Sequence, residues 1–159
     1  MVRWAMTVVV DNTNVVRAGV PSSLDSGCPA CGFSLWLPIA ELSVSRVGLY
    51  DDARFPGRVI VSAIEHFDHL DDVEPSYLAQ FMVDVQRVSS ALRSLGDVER
   101  TNMAILGNRD AHVHAHVFPR RLDDANAGRA PWDQAPPHTK LSPETRNRIC
   151  SEIRYALLG

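Results

Sequence analysis

Apolar residues recur at helical spacing through residues 78–95: Leu78, Phe81, Met82, Val85, Val88, Leu92 and Leu95 fall three or four positions apart. Residues so spaced share one face of an α-helix. Pro75, with Glu74 before it, suits a first helical turn that needs no amide donor, and Gly96 suits the stop. A second helix is predicted from Ser142-Pro143-Glu144, with Ile149, Ile153, Ala156 and Leu157 on one side. Elsewhere the pattern changes to loose alternation or to β-branched runs. Leu42 to Tyr50 carries Val44, Val47 and Leu49, and Arg58 to Ile64 is β-branched. The Asp, Pro and Gly of Asp51-Asp52-Ala53-Arg54-Phe55-Pro56-Gly57 supply turn chemistry between them, which predicts a hairpin. Asn102 to Leu106 and Ala111 to Phe118 predict two more strands joined by Gly107-Asn108-Arg109-Asp110, and Met6 to Val10 predicts a short one near the start. Pro21 to Cys31 and Pro131 to Pro137 read as loop. Strands on both sides of a long helix, joined by short hairpins, predict an α+β domain. Its antiparallel sheet is expected to have about five strands, with one long helix and a C-terminal helix.

The 159 residues suit a single domain, and 45% apolar with 22% charged residues is ordinary for a globular chain. A net charge of -3 and a pI near 6.0 exclude a protein whose main task is coating nucleic acid. A small phosphate ligand needs only local positive character and stays open. Val8-Val9-Val10 and Leu35 to Ala40 are far shorter than the roughly 20 apolar residues of a spanning helix, so no membrane partner is expected. No signal-peptide cleavage pattern follows the N-terminal apolar run. Cysteine is scarce, and Cys28 and Cys31 are close together, which suits a cytoplasmic metal knuckle better than a disulfide framework.

Candidate chemistry concentrates in His112-Val113-His114-Ala115-His116. Strand side chains alternate between faces, so the three imidazoles point one way and Val113, Ala115 and Val117 point to a buried face. Three imidazoles in a row suit metal binding, a plain surface row, or nucleophilic catalysis. In the last case imidazole attacks phosphorus, and its neighbours fix its tautomer and manage protons.

The run His112-Val113-His114-Ala115-His116-Val117-Phe118 resembles the signature of the histidine-triad (HIT) family without a gap. Pro119-Arg120 after it, Asn102 to Asn108 before it, and Pro56-Gly57-Arg58-Val59-Ile60-Val61 with His66 and Leu70 look like the bacterial diadenosine-polyphosphate hydrolase-like branch. The resemblance covers residues 28–121 as the core of a single domain, with an N-terminal extension over 1–27 and a tail with the C-terminal helix over 122–159. It implies a HIT-like fold and a nucleotide hydrolase or nucleotidyl transferase. His114 would attack the α-phosphorus of a dinucleoside polyphosphate or nucleoside phosphoramidate and form a covalent nucleotidyl-histidine. His116 would bind phosphate oxygens or assist proton transfer to the leaving group, and His112 completes the catalytic row. Asp51, Asn102 and Asn108 stand where the family holds ribose or phosphate; turn roles compete for Asp51 and Asn108. Arg109, Arg120 and Arg121 can meet phosphates. The loop from Gly107 to His112 lacks the Gly-Gln-Ser/Thr stretch of other branches, which leaves room for a non-catalytic nucleotide sensor or adaptor, or for an unusual biosynthetic reaction. A homodimer joined through its sheets is implied, and Trp132 is expected to cover a pocket of its own or the partner subunit.

Cys28-Pro29-Ala30-Cys31-Gly32 is a compact turn of the kind that ligates tetrahedral zinc, with a redox pair as the alternative. The resemblance to zinc-bearing HIT proteins implies His66 and His112 as the remaining ligands, with His69 competing for the third place. The expected site is a structural zinc held by Cys28, Cys31, His66 and His112. Cys150, between Ile149 and Ile153, is expected to be a core residue.

Overall fold

The computed structural model describes residues 27–124, 128–133 and 135–159. The strand expected at Met6 to Val10, and most of the 1–27 extension, lie outside the described residues. Five strands are formed: β1 (Leu37–Glu41), β2 (Ser45–Leu49), β3 (Val59–Ala63), β4 (Arg100–Ile105) and β5 (His114–Arg120). Two helices follow the periodicity, α1 (Pro75–Arg93) and α2 (Pro143–Leu158). The sheet is antiparallel in the order β1-β2-β3-β5-β4.

Strand alternation divides the sheet into two faces. Val47, Leu49, Val59, Val61, Ala115 and Val117 point to one side and pack with Phe81, Val85, Val88 and Leu92 of α1 and Ile149, Ile153 and Leu157 of α2. At about 25 cal/mol per Å² of apolar surface removed from water, this shared core holds both helices to the sheet. Asp84 and Tyr77 on α1 add polar ties. Asp84 accepts from the Val44 amide (3.0 Å) and the Ser45 hydroxyl (2.8 Å). The Tyr77 hydroxyl donates to the Val44 carbonyl (2.7 Å) and accepts from the amides of Ile64 and Glu65, which pins the chain just before His66.

β1 is an element the periodicity did not predict. It is an edge strand with Pro38 and a register shift between Pro38 and Ala40, features that blur alternation. The last strand also differs from expectation. It begins at His114 rather than Ala111 and runs through Pro119, whose missing donor the ladder tolerates. The hairpin turn needs Gly57, which sits at φ +95, where a Cβ would also meet Pro119 Cγ at 3.3 Å. Gly48 has a different task. A Cβ there would meet Leu35 Cβ at 2.9 Å, so its absence lets the 33–36 segment cross the second face of the sheet.

Candidate active site and metal centre

That second face carries one row of side chains from the His112 position along β5: His112, His114, His116, Phe118 and Arg120, all buried. It is therefore not an open surface. The segment 28–36 covers one end, and residues 129–133 and 135–139 lie at the other. Phe33 stacks on His112 (centroids 4.8 Å apart, planes 1° apart) and on His114 (5.0 Å). Trp132 packs edgewise on Phe118 of its own chain at 6.2 Å.

Hydrogen bonds fix the tautomer of each ring. A carbonyl only accepts, so His114 Nδ1 carries the hydrogen that it donates to the His112 carbonyl at 2.7 Å. In the neutral ring its Nε2 then keeps the lone pair. His112 donates from Nε2 to the Ala63 carbonyl at 3.0 Å, and its lone pair is on Nδ1. A guanidinium only donates, so Nδ1 of His116 accepts from Arg58 Nη2 at 3.1 Å, and its Nε2 carries the hydrogen. Burial, then the positive charge of Arg58, then His114 push His116 down to about 3, so its ring is neutral.

Arg58 is enclosed. Its guanidinium lies over the rings of Tyr50 (4.0 Å) and Phe118 (4.5 Å) and pairs with the fully buried Asp52 at 3.1 Å. Burial pulls Arg58 below its ordinary value, against the opposing pull of Tyr50 and Asp52. Burial alone would raise Asp52, but hydrogen bonds and charge from Arg54, with the charge of Arg58, outweigh it and hold the carboxyl low.

At the other end, Cys28 and Cys31 sulfurs and the Nδ1 atoms of His66 and His112 all lie within 4.8 Å of one another. Cys28 Sγ is 3.7 Å from His66 Nδ1, and Cys31 Sγ is 3.6 Å from His112 Nδ1. The two Nδ1 atoms are 3.5 Å apart. His66 Nε2 faces the Asp68 carboxylate at 2.9 Å, and His112 Nε2 faces the Ala63 carbonyl. Both rings thus spend their hydrogens outward and turn two lone pairs toward each other, an arrangement that a cation between them satisfies. Tetrahedral zinc, with bonds of about 2.0–2.1 Å to nitrogen and about 2.3 Å to sulfur, has ligand separations of this size, and outward Nε2–H donors are its usual support. Burial raises the Cys28 thiol, but the backbone amides of Cys31 and Ala30, the Cys31 side chain and the charge of Arg46 together lower it; burial and the Cys28 sulfur raise Cys31. The four residues form a cluster that can hold a metal ion. His69 is exposed and outside it.

A cavity of about 480 Å³ is lined by Phe33, Trp36, Tyr50, Ile60, Arg109 and Asp110, among others. The substrate-side candidates fall differently. Asn102 is on β4 opposite Phe118, on the histidine face, and its Oδ1 accepts from Arg120 at 2.7 Å. Asn108 is exposed in the loop beyond the end of β4 at Ile105. Asp51 is buried; its carboxylate accepts from the Leu141 amide and its carbonyl from His138, both at 2.8 Å, so it anchors the tail. Arg120 is bound to Asn102, Asp124 and the Arg129 carbonyl, and Arg121 to Asp97 and the Pro56 carbonyl. Arg109 is the arginine that lines the cavity. Cys150 is half-buried and packs against the core.

Residues 39–123, more than half of the chain, match the family profile of the HIT domain. The chain belongs to the HIT domain family. A histidine triad protein from Bradyrhizobium japonicum is similar to this HIT chain at 25% identity and a TM-score of 0.69, over 76% of this chain and 90% of that one. A histidine triad (HIT) protein from Sinorhizobium meliloti shares the fold at 23% identity and a TM-score of 0.68, over 76% and 89%. A Zn-bound histidine triad family protein from Mycobacterium smegmatis is similar at 25% identity and 0.58, over 76% and 82%.

Sequence reasoning missed Phe33, Tyr50, Asp52 and Arg58. Phe33 lies in a loop without periodicity, and its role depends on where the Cys28–Cys31 turn docks. Arg58 carried a weak signal: it precedes a β-branched run by one position, and even-numbered residues of that run share the histidine face.

Proposed function

We propose that this HIT protein is a nucleotide hydrolase or nucleotidyl transferase in which His114 attacks the α-phosphorus of a nucleoside phosphate derivative. The substrate class is a dinucleoside polyphosphate or a nucleoside phosphoramidate. Asn102 to Asn108 and Pro119-Arg120 favour the bacterial diadenosine-polyphosphate hydrolase-like branch. The observation that carries the reading is the 2.7 Å bond from His114 Nδ1 to the His112 carbonyl, which in the neutral ring puts the lone pair on Nε2, the nucleophile. When Nε2 bonds to phosphorus the ring becomes cationic, and the same carbonyl stabilises the Nδ1–H. His116 offers its Nε2–H to a phosphate oxygen. The 480 Å³ cavity has the size of a small-ligand site, and Phe33, Trp36 and Tyr50 give it flat apolar walls for a nucleoside. Arg109 lines the cavity and would meet a phosphate, the exposed Asn108 precedes it in the chain, and Asp51 serves the site indirectly by anchoring the tail.

Zinc is the metal that two thiolates and two imidazoles favour, and Cys28, Cys31, His66 and His112 would hold it as a closed structural site. That centre ties the covering loop and Phe33 to the catalytic strand. The knuckle needs reduced thiols, which suits the cytoplasm. A homodimer is supported by β4, an edge strand with Met103 and Ile105 exposed, and by the exposed Met82 and Val83 of α1.

The test is turnover of an adenosine phosphoramidate, a dinucleoside polyphosphate and a nucleotide sugar by wild type and His114→Ala, with products identified by mass spectrometry. The substitution is expected to lower turnover at least ~1000-fold with the fold intact. Undiminished turnover in the variant contradicts the nucleophile; nucleotide binding without turnover in wild type points to a sensor.

A further inference from the structure

We infer that Arg58 is a positioning residue that fixes His116 as a neutral hydrogen-bond donor, so that the enzyme acts on substrates whose leaving group departs as a stable phosphate anion. The inference rests on His114 being the nucleophile and narrows the substrate between the two classes named above.

An imidazolium donates from both nitrogens. His116 Nδ1 faces a guanidinium that has no acceptor, at 3.1 Å. Protonating Nδ1 would set two donors against each other. Arg58 is not free to turn away, because the Tyr50 and Phe118 rings enclose it and Asp52 holds Nη1. Asp52 is itself fixed by Arg54, through Nε and Nη2 at 2.8 Å each. The other titratable groups against the ring are His114 beside it and Tyr50 across it. The burial that pushes His116 down to about 3 agrees with this geometry.

A neutral imidazole donates a hydrogen bond but does not release that proton to a leaving group near neutral pH. In the first step the lone pair of His114 Nε2 forms the N–P bond, the bond from the α-phosphorus to the bridging oxygen breaks, and its electrons leave on that oxygen. A phosphate anion needs no proton to depart. In the second step water forms an O–P bond, the N–P bond returns its electrons to Nε2, and one proton of water passes to solvent. An amine leaving group would need a proton that His116 in this setting does not supply. A general acid typically contributes ~100-fold or more, so amines should lag by about that factor.

Two measurements test this. Ring ¹⁵N NMR of wild type should show His116 as the Nε2–H tautomer, without titration down to about pH 5. In Arg58→Met, which keeps an apolar stem between the rings, the ring should lose that single tautomer and its titration midpoint should rise by at least about one pH unit. Arg58→Gln, which keeps an N–H donor and puts less at risk around Asp52, should retain the tautomer. A wild-type midpoint near pH 6.5, or an Arg58→Met ring identical to wild type, would overturn the inference. Wild-type kcat/KM should favour a dinucleoside polyphosphate over an N-alkyl adenosine phosphoramidate by ~100-fold or more. Equal His114-dependent rates overturn the substrate assignment alone. If neither substrate is turned over, the nucleophile reading fails, and the ring spectra still decide the role of Arg58.

Discussion

The two ends of the histidine row are built from the same residue type on the same face, yet their chemistry is opposite. At the His112 end the ring gives its hydrogen to a carbonyl and turns its lone pair toward two thiols and a second imidazole. At the His116 end a guanidinium takes the lone pair and leaves the hydrogen outermost. His114, between them, has its hydrogen held by backbone and its lone pair on Nε2. A histidine's role is thus set by what its other nitrogen meets: an acceptor makes a ligand or a nucleophile, and a fixed cation makes a donor.

The comparison can be broken most severely at the metal end. Cys28→Ser should abolish stoichiometric zinc, read by elemental analysis of purified protein. It should also lower Tm by several degrees, because the loop carrying Phe33 loses its anchor. Full metal content in that variant would contradict the ligand set. A gentler change is Asp68→Asn, which weakens the acceptor behind His66. Zinc affinity should fall ~10-fold or more in a chelator competition while Tm with excess zinc is kept.

At the other end the sharper probe is acid. The ordinary value for histidine is 6.5, and His116 is held at about 3 in the folded chain. Between those values the unfolded chain binds the extra proton, so this contribution to stability is complete above pH 6.5 and is lost as pH falls toward 3. The slope should approach ~1 kcal/mol per pH unit after allowance for solvent screening. His116→Asn should flatten it in denaturant titrations between pH 6.5 and 4; an unchanged slope would contradict the buried neutral ring. The smallest effect is expected from Trp132→Ala. It removes one edgewise contact on Phe118 and should cost about 1 kcal/mol of stability.

Much of this was legible in the chain. The periodicity of residues 78–95, Pro75 and Gly96 placed α1, and the alternation of Val113, Ala115 and Val117 with the histidines gave both faces of β5. The cysteine spacing and the family resemblance brought Cys28, Cys31, His66 and His112 together. What stayed hidden depends on contacts between distant segments. Asp51 and Asp52 are neighbours in a turn, and only the fold sends one to Leu141 and the other to Arg54 and Arg58. Gly48 gave no local sign that the chain near Leu35 crosses above it. Asn108 lies past the end of β4 at Ile105, where no strand alternation says which way its side chain turns.

The central claim is that His114 Nε2 forms a bond to phosphorus. The most direct measurement is rapid quench of wild type mixed with a nucleotide substrate, followed by peptide mass spectrometry under conditions that preserve phosphoramidates. The account predicts a nucleotidyl adduct on the peptide containing His114, assigned to that residue by fragmentation and absent in His114→Ala. Turnover without any adduct, or an adduct on His112 or His116 instead, would contradict it.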